Sequence, residues 1–242
     1  MSLINYYMPR LKRQLIFYPV IAVLFYFLMF FTLRWEGVIL ISAIASNILN
    51  VMLYLGALIF ASRGGMEIDT TLPVDWRKKA TLILVHTFII VPLLIALPVA
   101  VCYLLTSQWI VINPFIKGIL QQEWLLPLPF IIMSIATTML PMAVCLYCVV
   151  SLKSNRVIMS IVWTIVAAFA ESIVGGIYGA YAAFKQGIED GLNGVEPQSS
   201  SELAKDLMAE ISNGSTAITV IFVICTIFVI VMACRAIKTR QI

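Results

Sequence analysis

The sequence predicts an all-α, polytopic membrane protein with six transmembrane helices and both termini in the cytoplasm. Two observations carry the prediction. Six apolar segments, at about 15–33, 37–61, 80–106, 126–150, 157–184 and 217–234, each approach or exceed the roughly 20 residues a helix needs to cross the hydrocarbon core. The basic residues between them sort by side. One set of connections holds Arg10, Lys12, Arg13, Arg63, Arg77, Lys78, Lys79, Lys153, Arg156, Arg235, Lys238 and Arg240, which is 12 of the 16 lysines and arginines. The other holds Arg34, Lys117, Lys185 and Lys205. The positive-inside rule assigns the richer side to the cytoplasm. Composition agrees: the 242 residues are 62% hydrophobic and 12% charged, with a mean hydropathy of +1.01, a balance foreign to soluble domains of this size.

A single transmembrane domain, residues 1–242, takes up the chain and leaves no stretch for a separate catalytic unit. The net charge of +4 is not a nucleic-acid footprint, because the basic residues sit at helix ends where anionic headgroups lie. Cys102, Cys145, Cys148, Cys225 and Cys234 all fall within or at the ends of apolar segments. Cys145 and Cys148 form a C-x-x-C without a second ligand pair, so neither a metal site nor a disulfide framework is expected. The first apolar run is too long for a signal-peptide core and lacks a small-x-small cleavage site, so it reads as a retained span.

Residues 1–14 read as an interfacial segment, with Tyr6, Tyr7 and Met8 beside Arg10, Lys12 and Arg13. Trp35 anchors a tight first outer turn. In the second span Ser42, Ser46 and Asn50 recur at i, i+4 and i+8, with Asn47 beside them. Such a face avoids lipid and either braces neighbouring helices or lines a wet path.

The loop from Ser62 to Lys79 is the most distinctive connection. Gly64-Gly65 breaks the preceding helix and Leu72-Pro73-Val74 is extended. Asp75 is placed to cap the third span and Trp76 to anchor it at the headgroups. The mixed charges Arg63, Glu67, Asp69, Asp75 and Arg77, with Trp76, suit docking to a soluble partner.

The third span carries the single histidine, His86, and the kinking prolines Pro92 and Pro98. A short surface helix is expected in the outer connection 107–124. In the fourth span Pro141 frees the carbonyl of Thr137, which nearby hydroxyls could satisfy. The fifth span is the least lipid-like. It contains Glu171 and a small-residue stripe of Ala168, Ser172, Gly175, Gly176 and Gly179, with a G-x-x-x-G at Gly175 and Gly179 that permits close helix approach. Either this helix continues to Phe184 or it ends near Gly175 and a re-entrant piece follows. An acidic outer loop, 185–216, comes next. Ser199 and Glu202 match a capping box, Leu203, Leu207 and Ile211 line one helix face, and Asn213-Gly214 is expected to stop that helix.

This layout resembles the permease subunit of ABC-2-type exporters: a basic interfacial segment, a docking-like loop containing Leu72-Pro73-Val74-Asp75 before a basic third-span start, and a glycine-broken fifth span leading to an outer element. The resemblance implies a bacterial cytoplasmic (inner) membrane permease that pairs with a second copy or paralogue. It also implies driving by a separate soluble ABC ATPase docked on the 62–79 loop. No cofactor and no metal are expected, and the chain carries no phosphate-binding loop of its own. Ser46, Asn47 and Asn50 would line or brace the path, and Glu171, Gly175 and Gly179 would shape its outer end. Lipidic or peptide cargo suits an apolar lining. Two other readings stand beside it. One is a non-transporting interaction or immunity protein that binds another integral protein through the fifth span. The other is an intramembrane enzyme using His86 and Glu171.

Overall fold

The computed structural model describes residues 3–34, 39–61, 75–106, 128–152, 155–193 and 200–239. These form six helical elements, and the described residues contain no strand. Helix α1 spans Leu3–Arg34 and α2 spans Ile39–Tyr54, continuing as a 3-10 segment, Leu55–Ala61. Helix α3 runs Trp76–Thr106 through a π turn at His86–Ile90. Helices α4, α5 and α6 span Leu128–Ser151, Arg156–Asn193 and Ser200–Thr239. Five stretches are long and apolar enough to cross a membrane: Leu11–Phe31, Trp76–Thr106, Ile132–Ser151, Arg156–Tyr178 and Ile218–Thr239. A shorter apolar helix covers Asn47–Phe60. The protein is a helical, multi-pass membrane protein.

Its surface inverts the soluble pattern. Phe17, Leu104, Leu105, Phe169 and Phe228 are all more than half exposed, as lipid-facing side chains are. Between helices in lipid there is no hydrophobic driving force, so close packing and internal hydrogen bonds hold the bundle. Helix α4 is its hub and packs on α2, α5 and α6. Cys145, Leu146, Val149 and Val150 of α4 meet Ala57 and Phe60 of the 3-10 segment, Ala80 and Ile83 of α3, and Ala233 and Ile237 of α6. Leu11 of α1 packs at the edge of this core.

These residues lie near the start of α1 and α3 and the end of α2, α4 and α6. The core therefore sits at one end of the bundle, and Leu11 and Ile237 reach that same end. Arg77, Lys78, Lys79, Arg156, Arg235 and Lys238 belong to the same helix ends, which we term the basic end. Asp75 caps α3 as the sequence predicts. Its Oδ1 accepts from the Arg77 N–H at 3.2 Å, and its carbonyl from the Lys78 and Lys79 N–H groups at 3.1 and 3.3 Å. The Trp76 ring lies under both the Arg77 guanidinium, at 5.7 Å, and the Lys238 ammonium, at 5.9 Å, tying the start of α3 to the end of α6.

Helix α1 attaches through one stripe. Tyr18, Ala22 and Tyr26 are buried at i, i+4 and i+8. Gln14 Nε2 donates to the Gly56 carbonyl at 3.4 Å, Tyr18 Oη to the Met52 carbonyl at 3.2 Å, and Tyr26 pairs with the Thr106 hydroxyl. The first two supply donors to carbonyls beside the point where α2 tightens to 3-10.

The π turn in α3 has a local cause. Pro92 cannot donate to the Phe88 carbonyl, and its ring crowds that carbonyl. The backbone widens, and the Val91 N–H bonds to the His86 carbonyl, five residues back. That turn is pressed against Gly56, where a Cβ would fall 2.7 Å from Val91 Cγ1 and 2.9 Å from Cγ2.

Three expectations are corrected, and the choice left open for the fifth span is decided for the continuous helix. The basic N-terminal segment is not a separate interfacial element, because α1 is continuous from Leu3. The Gly175-Gly176 pair does not break the fifth span, which runs unbroken to Asn193. Asn213-Gly214 does not stop a helix, since α6 passes through it. A glycine costs about 1 kcal/mol in a helix interior, less than nucleating a new helix after a break. The Thr137 and Thr138 hydroxyls bond to the Ser134 carbonyl, at 2.9 and 2.7 Å, rather than to the carbonyl freed by Pro141. The 38 residues of α5 and 40 of α6 reach about 57 and 60 Å, well past a hydrocarbon core of about 30 Å.

Replacing Gly56 by Ala will destabilise the purified protein by about 1–3 kcal/mol through overpacking on Val91. Gly175→Ala, where nothing lies within 4 Å, will be neutral or stabilising by about 0.5–1 kcal/mol from helix propensity. Thermal unfolding in neutral detergent reads both.

Candidate functional site: a polar groove among α2, α4 and α5

Helix α5 presents one stripe of small and polar residues, and its environment changes along the helix. Near the basic end Ser160 and Thr164 are buried. One to two turns further, Ala168 and Glu171 are half-buried and Ser172 is exposed. Beyond these, Gly175 and Gly176 face open space. The stripe thus emerges from the bundle toward the far end.

Where it emerges, α2 and α4 close a cavity of about 480 Å³ against it. Asn47, Asn50 and Tyr54 come from α2, Thr137 from α4, and Thr164, Glu171 and Ser172 from α5. Val51, Leu55, Ile161, Ile165 and Phe169 supply apolar walls. Asn50, Thr137 and Glu171 each lie about 20 Å from the basic ends of their helices, by rise per residue. Three separate helices therefore contribute a polar group at one depth. Leu55, Ile161 and Ile165 lie nearer the basic end, so the groove has a polar band above an apolar slot.

The hydroxyls of the groove are partly satisfied by their own helices. Thr164 donates to the Ser160 carbonyl at 2.6 Å, and Ser172 to the Ala168 carbonyl at 2.9 Å. Glu171 differs: its Oε1 is buried and has no hydrogen-bond partner. The described lining residues include no lysine, arginine or histidine.

Of the residues expected to form a path, Asn47, Asn50 and Glu171 are brought together. The side chains of Ser46 and Gly179 lie outside the described residues. Gly175 makes no close approach to another helix of this chain. Among the described side chains of α2, the groove takes Asn47, Asn50 and Tyr54, at i, i+3 and i+7, while Ser42, like Ser46, lies outside them. Tyr54 and Thr164 were missed. Both repeat at helical spacing from polar residues already singled out, and that was the available signal.

On the docking side, Asp75, Trp76 and Arg77 occupy the start of α3 as described, while Arg63, Glu67 and Asp69 lie outside the described residues, as do Trp35, the outer connection 107–124 and Ser199. His86 is elsewhere: it is 1% exposed, packed edge-on against Phe60 at 5.2 Å between ring centres, and it does not line the groove. All five cysteines are free, and no cluster of metal-ligating side chains occurs among the described residues. No protein-family profile, curated protein or solved structure matches the chain.

In a variant with the five native cysteines replaced, Ser172→Cys will react with a small hydrophilic maleimide about tenfold or more faster than Ser160→Cys, which needs a local opening to be reached. Equal rates measured on membrane vesicles would contradict the graded opening.

Proposed function

We propose that the chain is the membrane-spanning permease subunit of an ATP-driven exporter in a bacterial cytoplasmic membrane. The observation that carries this reading is the groove. Amide, hydroxyl and carboxyl groups from three helices converge at one depth within the hydrocarbon, where polar groups are costly and mark substrate paths. In this reading the chain crosses the bilayer six times. The segment through Asn47–Phe60 is the sixth crossing, because Ile39–Ala61 rises about 38 Å as α helix plus 3-10 turn. The basic end faces the cytoplasm and the groove opens toward the outer leaflet.

A soluble ABC ATPase would dock on the 62–79 loop through Arg63, Glu67, Asp69, Asp75, Trp76 and Arg77. The loop joins the 3-10 segment to the capped start of α3, so a push on it reaches Gly56 and Val91, where the two elements are in contact. Nucleotide-driven movement would bias the groove between closed and open arrangements through differential binding to the two states. Pairing of two protomers through the open Gly175 face of α5 would complete the path.

A second reading is favoured by that same open face. An accessory or immunity protein would use Gly175 and Gly176 to seat the helix of another integral protein, without transport.

Two measurements test these readings. If the gene beside this chain encodes a nucleotide-binding protein, as this reading requires, co-expression with it will give a stoichiometric complex, and charge reversal of Glu67 and Asp69 together will weaken it about tenfold or more. Absence of any complex would contradict the permease reading. Gly175→Leu will leave the protomer folded and abolish pairing in cross-linking, since the bulky side chain enters open space in the single chain but blocks close approach by a second helix.

A further inference from the structure

We infer that the α2–α4–α5 groove binds a protonated amine carried on an apolar tail, and that Glu171 is the residue that selects it. The inference rests on the reading of the groove as a cargo site and names the chemistry of that cargo.

Three features point to this ligand. Glu171 Oε1 is buried with an unfilled acceptor, and the described lining residues offer no internal cation to fill it. A carboxyl group in a low-dielectric setting gains most from a charged donor brought to it, because the attraction is weakly screened there. Asn47, Asn50 and Thr137 lie at the same depth and add neutral dipoles around a headgroup, while Tyr54 offers an aromatic face of the kind cations favour.

The remaining walls fit the tail. Leu55, Ile161 and Ile165 line the part of the groove nearer the basic end, below the polar band. A single-chain amphiphile would sit with its ammonium at Glu171 and its hydrocarbon pointing toward the centre of the bundle. The volume of about 480 Å³ lies in the range of small-molecule sites, which is about 300–1,000 Å³. An anionic amphiphile is excluded by the same geometry: its headgroup would face Glu171 with no positive partner on the described walls. A neutral lipid would leave Oε1 unfilled or weakly paired.

The test uses the full chain in nanodiscs of zwitterionic lipid and a diazirine-bearing dodecylamine as probe, with labelled positions mapped by mass spectrometry. Saturable labelling is expected within 47–55 and 161–172, displaced by unlabelled dodecylamine and not by dodecanol. Glu171→Gln, which keeps shape and removes charge, is expected to weaken labelling about tenfold or more, while Glu171→Asp retains most of it. Size-exclusion profiles and melting temperatures of the variants separate loss of binding from loss of fold. Equal displacement by dodecanol, or undiminished labelling in folded Glu171→Gln, would overturn the inference. No ATPase enters this experiment, so the two readings fail separately. Labelling without an ATPase complex leaves the amine site standing and removes the exporter. A complex without selective labelling removes the amine site alone.

Discussion

Hydrocarbon offers no solvent partner to a polar group, and this constraint organises the whole bundle. Serine and threonine hydroxyls on α3, α4, α5 and α6 turn back to carbonyls of their own helices, as Thr106, Thr138, Thr164, Ser172 and Thr239 do. Gln14 and Tyr18 reach across from α1 to the carbonyls of Gly56 and Met52. Among the described residues, buried atoms without a partner remain at Gln14 Oε1, His86 Nδ1, Thr87 Oγ1, Ser160 Oγ, Thr219 Oγ1, Thr226 Oγ1 and Glu171 Oε1, the last being the one carboxyl among them. Of these atoms, Glu171 Oε1 is the one whose residue lines the α2–α4–α5 groove.

The same constraint explains how irregular backbone is tolerated. The 3-10 segment Leu55–Ala61 and the π turn His86–Ile90 both depart from α geometry inside apolar sequence. They meet on one face, with Phe60 on His86 and Gly56 on Val91, while Ile89 on the outer side of the π turn is exposed.

Much of the fold could be read from the residues. Hydropathy marked α2, α3 and α4 to within a few residues but not the full reach of α1, α5 and α6, whose helices run on into the polar flanks at Leu3, Asn193 and Ser200; Asp75 announced its cap, and basic residues gather at the helix ends around Trp76 and Lys238. What failed were local punctuation signals. Gly175-Gly176 and Asn213-Gly214 are turn formers by propensity, yet both lie inside helices whose flanks are strong enough to carry them through. The groove was half legible. Asn47, Asn50 and Glu171 stood out because polar groups are rare in apolar runs. Tyr54 and Thr164 did not, because each is unremarkable alone and gains meaning only from the depth at which α2, α4 and α5 converge. The gradual emergence of the α5 stripe from the bundle is a packing property, invisible to a count of spacings.

Everything functional in this account depends on the polypeptide crossing the bilayer an even number of times with its basic helix ends in the cytoplasm. Paired fusions of green fluorescent protein and alkaline phosphatase, one set after Ile242 and one set inserted near Gly194, test this most directly. The account predicts fluorescence and no phosphatase activity at Ile242, with phosphatase activity and no fluorescence near Gly194. Phosphatase activity at Ile242, or the same compartment at both positions, would contradict it.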